Sequence, residues 1–173
     1  MKSILATEKL RLRELTEGDT AFIIELVNSS GWIKYIGDRN IKTPEQAKAY
    51  LENGPIKSYQ ENGFGLWLVE TKHNKNPIGM CGLLKRNYLE DPDIGFAFLP
   101  EFIGQGYGFE AAAATLSLAK DQLKLRTLCA ITMPTNHASI RLLEKIGLKF
   151  IKSFYPPDNH EELSLYQMSF FQN

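Results

Sequence analysis

The sequence predicts one α/β domain over residues 1–173, in which helices flank a mixed, mostly antiparallel sheet. A length of 173 residues and a hydrophobic content of 43% suit a single core. Three strand-like runs separated by short polar turns favour an antiparallel meander. A strand, a helix and a strand between Asp93 and Met133 then predict one parallel pair joined by a crossover.

The first third of the chain predicts a strand and two helices. The run "KLRLREL" alternates apolar with charged residues, which is typical of a strand with one solvent face. In "LTEGDTAFIIELVNSS", Thr16 and Asp19 nearly match a capping box. In "IKTPEQAKAYLENGPIKSYQENG", Thr43 is the N-cap, Pro44 takes the first helical position and Gln46 closes the box.

The rest of the chain supplies the meander, the crossover and two final strands. An apolar face with spacings of four, three and four marks the alanine-rich helix, and Asn136 and Gly147 bound a shorter one. In chain order, the elements are expected as a strand at 9–15, helices at 15–30 and 41–63, strands at 64–71, 77–85 and 88–99, a helix at 109–123, a strand at 127–133, a helix at 136–147, and strands at 148–155 and 163–171.

Composition excludes several classes of function. The 20 basic and 20 acidic residues give a formal net charge of zero, which argues against a nucleic-acid binder. No apolar run approaches the ~20 residues that a membrane span needs, and the N-terminus does not read as a signal peptide. We therefore expect neither nucleic acid nor a membrane as a partner.

The cysteines and histidines predict no metal site. Cys81 and Cys129 lie in apolar contexts, so two buried free thiols are expected, with a nucleophilic Cys129 as the alternative. The three histidines share no metal-ligand spacing and are expected at the surface. Free thiols predict a cytoplasmic protein.

Three alternate glycines, Gly104, Gly106 and Gly108, directly precede the alanine-rich helix. A helix N-terminus has backbone N–H groups without partners and partial positive charge, and glycines let an anion approach them closely. The N–H groups of these glycines and of Gln105 and Tyr107 are therefore candidates for binding a pyrophosphate, with a plain turn as the alternative. The dinucleotide fingerprint is absent because the position of its third glycine holds Phe109, and the P-loop is absent because the chain has no Gly-Lys-Ser/Thr here.

The segments "DIGFAFLPEFIGQGYGFEA" and "MPTNHASIRLLEKIGLKF" resemble the GCN5-related N-acetyltransferase (GNAT) superfamily. Within it, the chain is most similar to the ribosomal-protein N-terminal acetyltransferase (RimJ/RimL) type. The resemblance extends from "TEKLRLREL" to the last strand, and implies one N-acetyltransferase domain over residues 1–173. It implies transfer of an acetyl group from acetyl-CoA, with no metal, to a primary amine that attacks directly in a ternary complex.

The resemblance also implies which residues bind acetyl-CoA. In the superfamily the loop before this helix holds the pyrophosphate, and that loop corresponds to Gly104 through Phe109 here. Many members begin it with Gln or Arg, but this chain has Ile103, so the backbone would carry the interaction. The strand "DIGFAFL" is expected to splay from its parallel neighbour near a bulge. Phe98 and Leu99 would then offer backbone groups to the pantetheine, and an N–H there would polarise the acetyl oxygen.

Local charge agrees with a phosphate-rich ligand. Between residues 120 and 152 only Asp121 and Glu144 are acidic. The basic residues of this stretch are Lys120, Lys124, Arg126, Arg141, Lys145, Lys149 and Lys152. A solvated helix face is the alternative explanation for any single one of these lysines.

Three carboxylates are candidates for the general base. Asp93 comes first because it is acidic, lies on the same strand as Gly95 and is near the proposed splay. Glu101 and Glu110 are its rivals. An acidic acceptor cleft could also be formed by Asp38, Glu90, Asp91 and Asp93.

The group that stabilises the leaving sulfur is expected on the last predicted helix. Many superfamily members have a tyrosine where this chain has Leu143. The ribosomal-protein type has an Asn-x-x-Ser pattern instead, matched here by Asn136 and Ser139. We assign Ser139 to the sulfur, directly or through water. Asn136 would contact the pantetheine or adenosine part, which is compatible with capping the helix.

The amine acceptor is expected to be an α-amino group, because the sequence offers no obvious strong base. Neutralising a lysine amine at pH 7 costs about 4.6 kcal/mol, whereas an α-amino group costs about 1 kcal/mol. Trp32 and Tyr35, with Phe64 and Trp67 opposite them, are candidates for lining the acceptor pocket, and ordinary core positions are the alternative.

Other functions stay open at this point. The acceptor could be a small amine such as a polyamine, an aminoglycoside or an amino-acid-like molecule, and the acyl group could be larger than acetyl. The fold could also bind acyl-CoA without turnover. The sequence is compatible with a monomer or a homodimer.

Overall fold

The computed structural model describes residues 2–157 and 159–171. The strands are β1 (Ser3–Ala6), β2 (Leu10–Glu14), β3 (Leu66–Thr71), β4 (Pro77–Leu84), β5 (Asp93–Phe98), β6 (Thr127–Thr132), β7 (Lys149–Phe154) and β8 (Leu163–Ser169). The helices are α1 (Thr20–Val27), α2 (Ser30–Tyr35), α3 (Pro44–Leu51), α4 (Lys57–Asn62), α5 (Tyr107–Asp121) and α6 (His137–Lys145).

All eight strands form one mixed sheet with the order β1-β2-β3-β4-β5-β6-β8-β7. β1 to β5 are antiparallel neighbours in sequence order, as the short turns predict. β5 and β6 are parallel and are connected through α5. The predicted α/β class, antiparallel meander and crossover are therefore confirmed.

Two elements were not predicted from the sequence. β1 pairs with β2, but its four residues are half-buried or exposed and show no clear alternation. α2 has six residues, and only Trp32 among them is buried, so it has no apolar stripe to mark it. Both elements are stabilised by packing on their neighbours rather than by a strong local pattern.

Two predicted helices are subdivided in the structure. The helix expected at 15–30 begins as a 3-10 turn, Glu17–Asp19, with the capping box between Thr16 and Asp19 fully formed, and continues as α1. The helix expected at 41–63 is α3, a π-helical stretch over Glu52–Ile56, and α4. Thr43 and Gln46 form the predicted capping box of α3.

The sheet has a separate apolar cluster on each face. α5 and α6 pack on one face with Trp67, Val69, Leu128 and Ala130. α1, α2 and α3 pack on the other face with Leu68 and Met80. The two cysteines are free and buried, as expected. No helix in the described ranges is long and apolar enough to cross a bilayer.

β5 and β6 part immediately after they meet. Their register contains the single pair Asp93 and Cys129, where the Cys129 N–H donates to the Pro92 carbonyl at 2.9 Å. β5 stays paired with β4 along its whole length. The expected splay is therefore present, but the expected bulge is not, since the register of β5 on β4 runs without a shift from Asp93 to Phe98.

Candidate active site

A cavity of about 580 Å³ occupies the gap between β5 and β6. Its walls come from both faces of the sheet. The start of α5 and α6 line one half, and α2, the loop after it and α3 line the other. We call these the α5 half and the α2 half. Such a volume suits a small-molecule site.

The glycine loop lies in the α5 half. Gly104 and Gly106 adopt φ values of +80° and +86°, which only glycine takes up readily. The first helical bond of α5 runs from the Glu110 N–H to the Gly106 carbonyl. In the part of the chain that the structure describes, the backbone N–H groups from Gly104 to Phe109 have no acceptor. They form a group of unpaired donors at the positive end of a 15-residue helix.

Positive side chains accompany this loop. The first turn of α5 approaches Phe98 of β5 and Leu142 of α6 closely at Gly108. Arg141 of α6 lines the cavity, and the Lys145 Nζ lies 4.4 Å from the centre of the Phe109 ring. Two residues of the predicted basic surplus are thus beside the loop, and this arrangement fits a phosphate group.

Gln105 and Tyr107 differ from the other loop residues. The Gln105 side-chain amide donates to the Glu101 carbonyl at 2.6 Å, and the Tyr107 ring packs against Phe102 with centroids 6.3 Å apart. Neither side chain lines the cavity. Any role of these two residues in binding a ligand is therefore limited to their backbone N–H groups.

The backbone of β5 offers donors to the gap at alternate residues. The Leu99 N–H donates to the Ile78 carbonyl at 2.9 Å, and the Leu99 carbonyl accepts from Phe102. The expectation that Leu99 offers backbone groups is therefore wrong, because β4 and the following turn already use them. Alternation along an antiparallel pair directs the backbone groups of Phe96 and Phe98 to the other side, where β6 has separated.

Asp93 lines the α2 half and is 1% exposed. The Arg86 Nε donates to both of its carboxylate oxygens, at 3.0 and 3.1 Å. Burial raises the pKa of the Asp93 carboxyl, and Arg86 acts against this without cancelling it. A buried carboxylate with a raised pKa at the edge of a cavity is suited to accepting a proton from a bound group.

The other carboxylate candidates lie outside the cavity. The Glu110 Oε1 accepts from the Lys9 N–H at 2.8 Å and from the Thr7 hydroxyl, so Glu110 anchors α5 to the β1–β2 turn. Glu101 is exposed. Asp38, Glu90 and Asp91 do not line the cavity either, and the acidic cleft is not formed. Of these carboxylate candidates, Asp93 is the one that lines the cavity.

Ser139 lines the α5 half at the start of α6. The Asn136 Oδ1 accepts from the Ser139 N–H at 3.2 Å, so Asn136 is the N-cap of α6 and also lines the cavity. The Ser139 hydroxyl has no hydrogen-bond partner within residues 2–157 and 159–171. It is free to donate to a group in the cavity.

Two of the four aromatic candidates line the α2 half. Trp32 and Tyr35 do so from α2. Phe64 and Trp67 do not, because both belong to the core under α5. Successive side chains of a strand point to opposite faces, and it is therefore Leu66 of β3 that reaches the cavity instead of Trp67.

Sequence reasoning missed three polar residues of the α2 half, namely Arg39, Tyr50 and Arg86. The pair of Arg86 with Asp93 could have been found from the β4–β5 register, since Leu84 stands opposite Asp93 and Arg86 follows two residues later. No local pattern marks Arg39, which lies in the loop between Gly37 and Asn40. Burial of the Tyr50 ring raises the pKa of its hydroxyl, and Arg39 opposes this.

The remaining chemistry of the described residues is limited. They contain no group of three or more His, Cys, Asp or Glu side chains that could hold a metal ion. Burial, and then the negative charge of Asp91, raise the pKa of the Cys129 thiol. A raised pKa argues against Cys129 as a nucleophile, because the thiolate is the reactive form.

Comparisons with known proteins identify relatives over most of the chain. The family model described as an acetyltransferase (GNAT) domain matches residues 9–149. The uncharacterized N-acetyltransferase YoaA of Bacillus subtilis is 29% identical over 151 residues, 86% of this chain and 84% of the relative. A GNAT-family acetyltransferase structure from Bacillus anthracis is 26% identical, with a TM-score of 0.79 over 96% of this chain and 98% of the other.

A more distant structure shares the fold alone. It is described as the RimL ribosomal L7/L12 α-N-protein acetyltransferase in complex with coenzyme A. It is 15% identical, and its TM-score is 0.82 over 97% of this chain and 98% of that chain.

We expect Gly106→Val to abolish binding of coenzyme A. A β-branched residue is strained at φ +86°, so the loop would turn its N–H groups away from the phosphate. Isothermal titration with coenzyme A, together with the shift of the melting temperature that it causes, measures the effect.

The control is Gly63→Val at the end of α4. Gly63 has a similar φ of +74°, and both glycines have open space where a Cβ would stand. Gly63→Val therefore carries the same backbone strain but is remote from the loop, and it should keep coenzyme A affinity. Full affinity in Gly106→Val would show that the loop does not bind the phosphates.

Proposed function

The chain belongs to the GNAT acetyltransferase family, and we propose that it transfers the acetyl group of acetyl-CoA to the α-amino group of a peptide or protein N-terminus. One observation carries this proposal. The cavity joins unpaired N–H groups on one face of the sheet to an aromatic chamber with a buried carboxylate on the other, through the gap between β5 and β6. A donor and an acceptor can therefore meet from opposite faces in a ternary complex.

Within the family, we place the chain in the ribosomal-protein N-terminal acetyltransferase (RimJ/RimL) type. Asn136 and Ser139 match its Asn-x-x-Ser pattern, and Ile103 provides the apolar residue that is common at its loop. The fold shared with a protein described as an α-N-protein acetyltransferase agrees with this placement.

The residues of the α5 half fit acetyl-CoA, which supplies an activated acetyl thioester when bound. The N–H groups from Gly104 to Phe109 would hold its pyrophosphate, with Arg141 and Lys145 adding positive charge. The backbone groups of Phe96 and Phe98 are available to a ligand in the gap. In this proposal the Phe98 N–H polarises the acetyl carbonyl oxygen.

Two side chains act on the reacting groups in this proposal, one by accepting a proton and one by donating a hydrogen bond. The Asp93 carboxylate takes a proton from the ammonium form of the acceptor, since burial gives it a raised pKa. The Ser139 hydroxyl donates a hydrogen bond to the leaving sulfur, directly or through water. Arg86 holds the Asp93 carboxylate in place through the two bonds from its Nε.

An α-amino group suits this site better than a lysine side chain. Arg86 limits the basicity of Asp93, so the site favours an amine that is easily neutralised. At pH 7 the neutral form costs about 1 kcal/mol for an α-amino group and about 4.6 kcal/mol for a lysine. The unpaired charge of Arg39 would also repel polyamines and aminoglycosides from the α2 half.

The proposal predicts which amines the protein acetylates. Thiol release from acetyl-CoA is followed with N-terminal peptides, spermidine and an aminoglycoside, and mass spectrometry locates the acetyl group on each product. We expect turnover of peptides at the α-amine only. Blocked peptides with an internal lysine are the matched control and should be inert. A preference for spermidine or for lysine would overturn the assignment of the acceptor.

We expect Asp93→Asn to remove the acidic limb of the pH profile of kcat/KM. In the wild type, activity should fall as the pH drops through the raised pKa of Asp93, because the carboxylate becomes protonated. The variant lacks this carboxyl and should show low activity without this limb, while a separate limb near the pKa of the acceptor α-amine, about 7.8, remains. Asp91→Asn, a half-buried neighbour outside the cavity, is the control and should keep the profile. An unchanged limb in Asp93→Asn would exclude it as the base.

We expect Ser139→Ala to lower kcat by about tenfold while the Kd of coenzyme A stays near the wild-type value, because a lost hydrogen bond to the leaving sulfur acts in the transition state. Single-turnover rates and titration with coenzyme A separate the two effects. Ser117→Ala on the exposed side of α5 is the matched control. If the rate of Ser139→Ala equals that of the wild type, its hydroxyl takes no part in the reaction.

A further inference from the structure

The α2 half of the cavity contains uncompensated positive charge. Its one lining carboxylate in the described ranges is Asp93, and both oxygens of that group already accept from Arg86. Arg39, an exposed residue, also lines this half, and among the described residues it has neither an ion pair nor a hydrogen bond. A guanidinium without a partner at the mouth of a cavity favours an anionic ligand group.

Neutral donors near Arg39 also lack acceptors. Trp32 is 5% exposed, and its Nε1 is buried with no hydrogen-bond partner in the part of the chain described. Such an unpaired buried N–H is rare in folded proteins and calls for a functional explanation. The Tyr50 hydroxyl, on α3, is likewise without a partner in those ranges. Arg39 and Tyr50 thus line this half without a partner, and Trp32 lines it with an Nε1 that is buried away from solvent.

Arg39 lies close to Tyr50 and follows Trp32 along the chain. Arg39 is close enough to Tyr50 for its charge to act on the pKa of the hydroxyl, opposing the effect of burial. Trp32 lies on α2, which leads into the loop that carries Arg39. This half therefore offers oxygen atoms the Arg39 cation and the Tyr50 hydroxyl, whereas Asp93 offers a negative group to a nitrogen.

We infer that the acceptor is an amine with a carboxylate near its reacting nitrogen, and that Arg39 binds this carboxylate. The inference rests on the proposed function for the amine and adds the group that recognises it. In an N-terminal peptide, the carboxylate is an Asp or Glu side chain among the first residues. Arg pairs with a carboxylate through parallel N–H bonds, which fix its orientation as well as its charge.

The test uses peptides that differ only at the second residue, which is Asp, Ala or Lys. The wild type should show a KM about tenfold lower for the Asp peptide than for the Ala peptide, the scale of one charged hydrogen bond. Arg39→Gln should raise the KM of the Asp peptide by a similar factor and leave kcat and the Ala peptide unchanged. Arg39→Glu should reverse the preference toward the Lys peptide.

Lys57→Gln is the matched control. Lys57 is an exposed cation on α4 that does not line the cavity, and removing it should leave all three KM values unchanged. A further part of the experiment compares free glutamate with its α-amide as acceptors. If a lower KM requires both the free α-carboxylate and Arg39, the carboxylate that Arg39 binds belongs to an amino acid instead of a peptide side chain. Equal KM values for the three peptides, or a uniform loss in Arg39→Gln, would overturn the inference.

Titration of the same peptides into the protein with coenzyme A separates this inference from the proposed function. Coenzyme A has no acetyl group, so binding is measured without turnover. Binding of the Asp peptide that depends on Arg39, in a protein that acetylates no peptide, would support the inference and overturn the proposed function. Turnover of all three peptides, bound with equal affinity, would support the proposed function and overturn the inference.

Discussion

The site depends on the parting of β5 and β6 after one bridge. Inside a continuous sheet, the backbone groups of a strand are paired on both sides. Here β5 is held by β4 through its full length, but β6 is paired with it only at Asp93 and Cys129. Each backbone group left in the gap would cost roughly 1–3 kcal/mol if it were buried without a partner. The gap is therefore a row of fixed donors and acceptors that a ligand or water must satisfy.

The two faces of the sheet divide the chemistry between backbone and side chains. In the α5 half the donors are mostly backbone N–H groups at a helix N-terminus, whose direction is set by Gly104 and Gly106. In the α2 half the polar groups are side chains, namely Arg39, Tyr50 and the pair of Arg86 with Asp93. A backbone site tolerates changes of side chain, whereas a side-chain site does not. The α2 half can therefore change its side chains without loss of the backbone donors in the α5 half.

The sequence predicted those helices and strands that have a strong local pattern. The capping box at Thr43 and Gln46, the meander and the crossover through α5 depend on residues that are close in sequence, and the structure confirms them. α2 has one buried residue and no stripe, and it was missed. The glycine loop was predictable because unpaired N–H groups at a helix start follow from the chain itself. Arg39 was not, because its place in the cavity depends on how α2 and α3 pack on the sheet.

The error over the acceptor pocket has a specific physical cause. Trp67 is large and aromatic, and composition alone gives no reason to prefer Leu66 as a lining residue. The alternation of side chains along β3 decides which residue lines the cavity, because a shift of one residue moves a side chain to the other face of the sheet. Trp67 packs under α5, while Leu66 faces the cavity with Trp32. Since α5 must bury a broad apolar face to hold the loop in place, the large side chain of β3 stabilises the α5 half of the cavity, and the smaller one leaves room in the α2 half.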